Sequence, residues 1–385
     1  MEKEVILTEN PNKELWNQFK QFENYGVCLN YLKKNCKKFN NNEKFRFRAS
    51  LMEYYITQAK EYYFSASDAS VLTKPTLLYY GASCLVKALI LTKRCHQDYS
   101  TGHGLTVSES NVDNLIDLKI KPVKGTFLQL YQVLENKKIN LIKSIDFNLE
   151  DLLSFIPELK DDFENVFNKK SLVIKVDRIK DEDGERLSYE GDYFSDPSIL
   201  NDFFNNIPNF DKCYFSPSVF SKGMCCFKKP FSRGDVVLKN IMGEEFLISS
   251  LPSGENYIYL SQISVHFLTL YLLSMLSRYY VNLWVGENSS DKSRYFYIIE
   301  KFLDISERKF PNLILNEILN KEIVFSIETY KPSGFDFDEI KGMVEEIVNE
   351  SIEKNNSKEE KEEIKRKVMD DIYNGKDWST IFKTK

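Results

Sequence analysis

The chain has 385 residues, 28% charged and 42% hydrophobic, enough for two or three hydrophobic cores. Its 57 acidic residues against 52 basic leave a net charge of −5, which excludes a global basic field for non-specific nucleic-acid binding. Only 15 Gly and 11 Pro stand beside 28 Phe and 22 Tyr, which favours helices over a turn-rich all-β fold.

Residues 1–44 read as a helical lead-in, with Trp16, Phe19 and Phe22 at helical spacing. Residues 45–64 form a long amphipathic pattern. Pro75 suits the first turn of a second helix running to about Arg94, apolar nearly all round and therefore expected to be buried. A polar loop over 95–110 places His103 between Gly102 and Gly104. Helical patterns resume near 111–119, 126–136 and 148–168. Short β-rich alternations then follow from 171 to 260, separated by Gly, Pro and Asn. Helices are expected again at 261–285 and 290–304, with Pro311 opening a further short one. The stretch from Asn256 to Ser277 carries no formal charge but holds Gln262, His266 and several Ser, so a core helix is expected rather than a membrane span. A break at Lys331-Pro332-Ser333-Gly334 precedes a charged helical tail over 330–385, whose Ile340, Met343, Val344 and Ile347 share one face. The sum is a mainly helical α+β protein. Its bundle core comes from 45–170 and 261–329, with a β-containing insertion at 171–260 and a helical C-terminal extension.

Two buried-looking segments repeat one polar pattern. Tyr80, Ser83 and Lys87 recur as Tyr271, Ser274 and Arg278, both reading Tyr-x-x-Ser-x-Leu-x-cation. Positions i, i+3 and i+7 share a helix face, so each segment sets two hydroxyls and a cation along one stripe. A lone cation in an apolar run is costly to bury unless it is paired or serves an anion. Lys87 and Arg278, with Tyr80, Ser83, Tyr271 and Ser274 as hydrogen-bonding groups and Arg94 at the end of the first helix, are the candidate ligand-binding set. The alternative is that each cation pairs with a carboxylate or reaches a helix end.

His103 is the candidate acid or base, its flanking glycines letting backbone approach a ligand; a loop histidine that merely bonds a carbonyl is the competing reading. His266, on an apolar helix, is expected to be a core histidine. The basic and aromatic stretch from Tyr31 to Arg48 could hold phosphates and stack bases, though a solvated helix face explains it better. Walker A, Gly-x-Gly-x-x-Gly, His-Glu-x-x-His and Gly-x-Ser-x-Gly patterns are all missing. No Cys-x-x-Cys supports a zinc site, and neither cofactor nor metal is expected. Seven cysteines without a framework of spacings suggest reduced thiols in a cytoplasmic protein. Met1-Glu2-Lys3-Glu4 lacks the basic-then-apolar pattern of a signal peptide.

From about Phe45 to Ser326 the chain resembles the YaaC-like proteins of bacteria. The resemblance rests on Ala59 to Tyr63, Lys74 to Gly81, Lys87-Ala88-Leu89 and His103-Gly104. It continues with Ser274 to Tyr280, Trp284 and Phe310-Pro311-Asn312-Leu313. That family carries no established activity. Its helical core is similar to HEPN-type domains, helical bundles common in bacterial toxins and antiviral systems, which is an analogy of fold alone. HEPN ribonucleases use an Arg followed four to six residues later by His. Here Arg94 stands two residues before His96 and nine before His103, so neither spacing matches.

The expectation is a cytoplasmic binding or regulatory protein that recognises a nucleotide or RNA-like anion and acts with a protein partner through 335–385, in antiviral defence and away from membranes. The alternatives are a phosphodiester-cleaving effector using His103, and a non-catalytic subunit of a complex.

Overall fold

A computed structural model describes residues 2–36, 42–94, 100–109, 112–135, 139–181, 184–188, 215–217, 225–227, 237–248, 251–253, 256–258, 260–285 and 289–326. The expectations for His96, for the tail from 330 and for residues 37–41 of the basic stretch lie outside them.

The elements begin with β1 (Glu2–Leu7), α1 (Pro11–Lys20), α2 (Tyr25–Asn35), α3 (Asn42–Ser67) and α4 (Lys74–Lys93). They continue with β2 (Leu105–Glu109), β3 (Lys119–Pro122), α5 (Thr126–Glu135), α6 (Ile139–Ile142), α7 (Leu149–Leu153) and α8 (Lys160–Phe167). The strands β4 (Val173–Asp181), β5 (Gly184–Ser188), β6 (Phe215–Pro217), β7 (Cys225–Phe227), β8 (Val237–Lys239), β9 (Glu245–Ile248), β10 (Leu251–Ser253) and β11 (Asn256–Ile258) follow. The last are α9 (Gln262–Tyr279), α10 (Val281–Val285), α11 (Ser289–Leu319) and β12 (Lys321–Ser326). The protein is α+β and mainly helical, with a helical core.

The chain divides into two compact units. In the first, α4 is the central helix, and its apolar character all round follows from packing against α3, α9, α11 and α5. Gly81 marks the close approach of α3. A Cβ there would stand 2.7 Å from Tyr63 Cδ2, so the helix accepts a residue of poor propensity to seat the Tyr63 ring against its backbone. Ion pairs join α4 to α11: Lys74 to Asp304 at 2.7 Å and Glu307 at 2.8 Å, and Lys93 to Glu317 at 3.2 Å. By length and composition α4 could cross a membrane, yet 78% of its apolar window is buried inside the protein, as in any core helix.

Helix starts follow local chemistry. Asn10 and Asn24 cap α1 and α2 by accepting from Lys13 and Val27 N–H. Ser261 caps α9, and its own N–H donates to Glu135 Oε1 at 2.7 Å. Deep in the core, Lys309 Nζ donates to both oxygens of Glu158 (2.8 and 3.0 Å) and to Gln262 Oε1 (3.1 Å). His266 is fully buried, bonded through Nδ1 to Ser306 Oγ at 3.0 Å and stacked on Phe302. Its Nε2 finds no partner among the described residues.

Several elements differ from the sequence expectation. The lead-in opens with a strand: β1 pairs in parallel with β12, from Glu2 opposite Lys321 to Leu7 opposite Ser326. Of the stretch 111–119, the described residues 112–119 hold no helix beyond a single short turn at Leu115–Asp117; β3 pairs antiparallel with β2 across a bulge between Val107 and Glu109. The pattern over 148–168 breaks into α7 and α8, with a short 3-10 turn at Pro157–Leu159 between them. Pro311 opens no new helix but lies inside α11, where its ring and missing N–H remove one bond of the helical ladder without ending it. Cys36 is disulfide-bonded, whereas Cys28 and Cys84 are free and buried.

The first unit also holds β8 and β9, a hairpin turning at Gly243 (φ 85), with Val173–Val176 of β4 paired antiparallel to β9, and the short hairpin β10–β11. In the second unit, Asp177–Asp181 of β4 pairs antiparallel with β5, and β6 pairs with β7.

Candidate anion-binding site

The two polar stripes lie on α4 and α9, which pack against each other in the first unit. Their contact is direct. Arg278 donates from Nη1 to Tyr80 Oη at 2.9 Å, and Thr76 Oγ1 and Ser277 Oγ meet at 2.9 Å. Arg278 is further fixed by its own helix: Nε donates to Ser274 O at 2.9 Å and Nη2 to Ser274 Oγ at 3.2 Å, with Met275 Sδ at 3.7 Å. Its guanidinium stands over the rings of Tyr80 (5.4 Å) and Tyr279 (4.9 Å), geometry that favours a cation. No carboxylate contacts it among the described residues.

Lys87 is half-buried on the same face of α4, two turns or about 10 Å beyond Tyr80. Its ammonium sits 5.4 Å from the centroid of Tyr55, on α3, and makes no ion pair among the described residues. Burial pushes its pKa down, with the neighbouring Cys84 thiol opposing that shift weakly. The Cys84 thiol donates to Gln58 Oε1 at 3.1 Å, and burial raises its pKa to about 11, so it stays protonated at neutral pH. Ser83, between Tyr80 and Lys87, is 2% exposed and its Oγ has no hydrogen-bond partner among the described residues. An unbonded buried hydroxyl is uncommon enough to need a reason.

His103 joins the two stripes. Its Nδ1 lies 2.6 Å from Tyr79 Oη, one residue off the α4 stripe, and its ring meets those of Tyr79 and Tyr271. Burial first, then the charges of Lys87 and Arg278, lower its pKa, so the imidazole is neutral at pH 7. Both cations therefore act on one ring. Burial holds Tyr79 protonated, which makes its hydroxyl the natural donor to Nδ1 and leaves the ring proton on Nε2.

The loop that carries His103 is locked by two glycines. Gly104 has φ +78, and its Cβ would stand 2.7 Å from Gly125 C; a Cβ on Gly125 would stand 2.4 Å from Gly104 Cα. This back-to-back contact lets Thr126 N–H reach Gly102 O (2.9 Å) and Phe127 N–H reach His103 O (3.1 Å), so the loop docks on the first turn of α5.

Of the residues singled out from sequence, Tyr80 and Arg278 are hydrogen-bonded to each other, His103 lies within electrostatic reach of both Arg278 and Lys87, and Ser83 is buried on the α4 stripe between Tyr80 and Lys87. Tyr271 and Ser274 serve as internal struts: Tyr271 Oη donates to Leu105 O at 3.0 Å, and Ser274 Oγ donates to Tyr271 O while accepting from Arg278. Arg94 caps the far end of α4, two turns beyond Lys87, and nothing among the described residues joins it to this cluster. Sequence reasoning missed Tyr79, Tyr55 and Tyr62, whose ring stacks on Tyr80 at 5.6 Å. Tyr79 sits beside a stripe residue, but the α3 tyrosines reach the site from another helix and leave no local signal.

Among the described residues no group of three His, Cys, Asp or Glu side chains could hold a metal ion. The arrangement offers two cations, tyrosyl and seryl hydroxyls and a neutral imidazole. It suits an anion with several acceptor oxygens.

No curated protein and no solved structure matches the chain, so the HEPN likeness, and the antiviral setting that rested on it, gain no support. The model of one family, described as YaaC-like protein, matches residues 20–318 and so covers every residue of the cluster. The chain belongs to the YaaC-like family.

Proposed function

We propose that the protein is a binding or regulatory module that recognises an anionic ligand, nucleotide-like or nucleic acid, between α4 and α9. The observation that carries the reading is a pair of half-buried cations, Lys87 and Arg278, that act on the same histidine with no carboxylate beside them among the described residues. Leaving such charges uncompensated is unfavourable, and an anion relieves it. Charge-assisted bonds of this kind contribute about 1.5–3 kcal/mol each. Lys87→Ala or Arg278→Ala therefore weakens nucleotide or RNA binding by roughly 10- to 150-fold in calorimetric titration of the full chain. Unchanged affinity in the double variant refutes the site. A protein partner docking through 335–385 is part of the proposal, with Ile364, Met369 and Ile372 as the apolar residues offered to it. Co-purification that persists after deletion of 335–385 rejects that part.

One observation favours a second reading, cleavage of a phosphodiester. His103 is neutral and bonded to Tyr79 through Nδ1; in the other tautomer, with Nδ1–H donating to Tyr79 Oη, its Nε2 is free to act as a general base toward a phosphate. RNA cleavage that disappears in His103→Ala while RNA binding persists selects this reading over simple binding.

A further inference from the structure

We infer that the ligand group held by Lys87 and Arg278 is a terminal phosphomonoester, carried on an aromatic body such as a nucleoside. The inference rests on the anion-site reading above and deepens it.

Charge balance is the first ground. The cluster holds two cationic side chains, Lys87 and Arg278. Its third candidate cation, His103, is neutral in the free protein, so the cluster carries about +2 at pH 7. No carboxylate offsets this among the described residues. A phosphomonoester carries close to two negative charges at pH 7, and its second proton is lost near pH 6. A phosphodiester or a sulfate ester carries one. Only the dianion neutralises both cations, and a half-buried surplus charge is the costly state.

Hydrogen-bonding capacity is the second ground. A terminal phosphate offers three free oxygens, a diester two. The donors here are Nζ of Lys87, the remaining N–H of Arg278 and the Nε2–H of His103. A three-oxygen head uses more of them. Beside the cations the Tyr62 and Tyr80 rings stack at 5.6 Å and Tyr279 is exposed, a surface on which a flat ring can lie.

Calorimetric titration of the full chain at about pH 7.5 tests this with three small probes of similar size: phenyl phosphate, a dianion there, and phenyl sulfate and methyl phenyl phosphate, both monoanions. Phenyl phosphate is expected to bind on the order of tenfold or more tightly than either monoanion. That preference collapses in Lys87→Met and in Arg278→Gln, with the far-ultraviolet spectrum unchanged as proof of folding. Equal binding of all three overturns the monoester assignment and leaves the anion site standing. Binding by none of the three, nor by any nucleotide or RNA, overturns both.

Two further pairs separate the sources of the group: adenosine 5′-monophosphate against its 3′,5′-cyclic diester, and a short RNA with a 5′-phosphate against the same RNA with a 5′-hydroxyl. A preference for the monoester in either pair supports the assignment and names the source. No preference in both pairs overturns it.

Discussion

Gly104→Ala is the sharpest perturbation of the site, because the contact it disturbs is backbone against backbone. At φ +78 an alanine costs about 1 kcal/mol relative to glycine. Its Cβ would also stand 2.7 Å from Gly125 C and 2.8 Å from Thr126 N, atoms that no side-chain rotation can move aside. The loop must lift off α5. Three backbone bonds hold it there: Val123 N–H to Gly104 O, Thr126 N–H to Gly102 O and Phe127 N–H to His103 O, at 2.9, 2.9 and 3.1 Å. At about 1 kcal/mol net each, with the strain, the local cost reaches about 4 kcal/mol if all are lost. Hydrogen exchange measures this directly, since each of the three donors is itself a reporter amide. Protection at Val123, Thr126 and Phe127 is expected to fall by up to about a thousandfold while the α4 amides keep theirs. Phenyl phosphate affinity falls with it, because His103 leaves its place. Gly102→Ala is the internal control: among the described residues a Cβ there meets only Ser100 Oγ, at 4.0 Å, and should change little. Wild-type exchange at the three amides in Gly104→Ala, or equal effects of the two substitutions, would refute the reasoning.

Three other expectations follow from the core and the site. Lys309→Met removes the counter-charge of Glu158, leaving it the Ile241 N–H, and is expected to cost about 3–5 kcal/mol in chemical denaturation, whereas Lys309→Met with Glu158→Leu recovers all but roughly 1–2 kcal/mol. Additive losses in that cycle would show the pair is uncoupled. Stability is expected to drop on acidification below about pH 6.5, because burial and then Lys309 hold the His266 pKa well below that value. There the unfolded chain binds a proton that the folded chain refuses, at up to about 1.4 kcal/mol per pH unit. His266→Phe should flatten that part of the curve, and an unchanged slope between pH 7 and 5.5 would reject the assignment. Finally, Lys87→Met removes a charge that disfavours the His103 imidazolium, so the NMR titration midpoint of His103 should rise. A midpoint that stays or falls counts against their proximity.

What could be read from the chain before its structure depended on how local the cause was. The core helices α4 and α9 announce themselves through unbroken apolar runs, and α5 matches its expected bounds within a residue. The strands β1 and β12 were invisible for the opposite reason. Glu2-Lys3-Glu4 looks like a solvated terminus, and the partner that makes it a strand lies at Lys321–Ser326. Pro311 misled because a proline is a breaker by local rules, while α11 is held through it by packing of Phe310, Ile314 and Leu315 in the core. At the site, the repeated stripe pointed to Tyr80, Ser83, Lys87 and Arg278. It could not tell which hydroxyls would be spent inside the helices, and so ranked Tyr271 and Ser274 with the rest. The tyrosines of α3 became relevant only once Gly81 let α3 approach α4.

The parallel pairing of β1 with β12 also sets an order of events during synthesis. Glu2 emerges before Lys321, which follows about 320 residues later. At a translation rate of ~5–20 residues per second, β1 spends roughly 15–60 s without its neighbour. Throughout that time its N–H and C=O groups form an open edge that another nascent chain could pair with. The charges of Glu2, Lys3 and Glu4 discourage such pairing during the wait. Closure by β12 is then a late, long-range step, a connection that slows folding more than it changes stability.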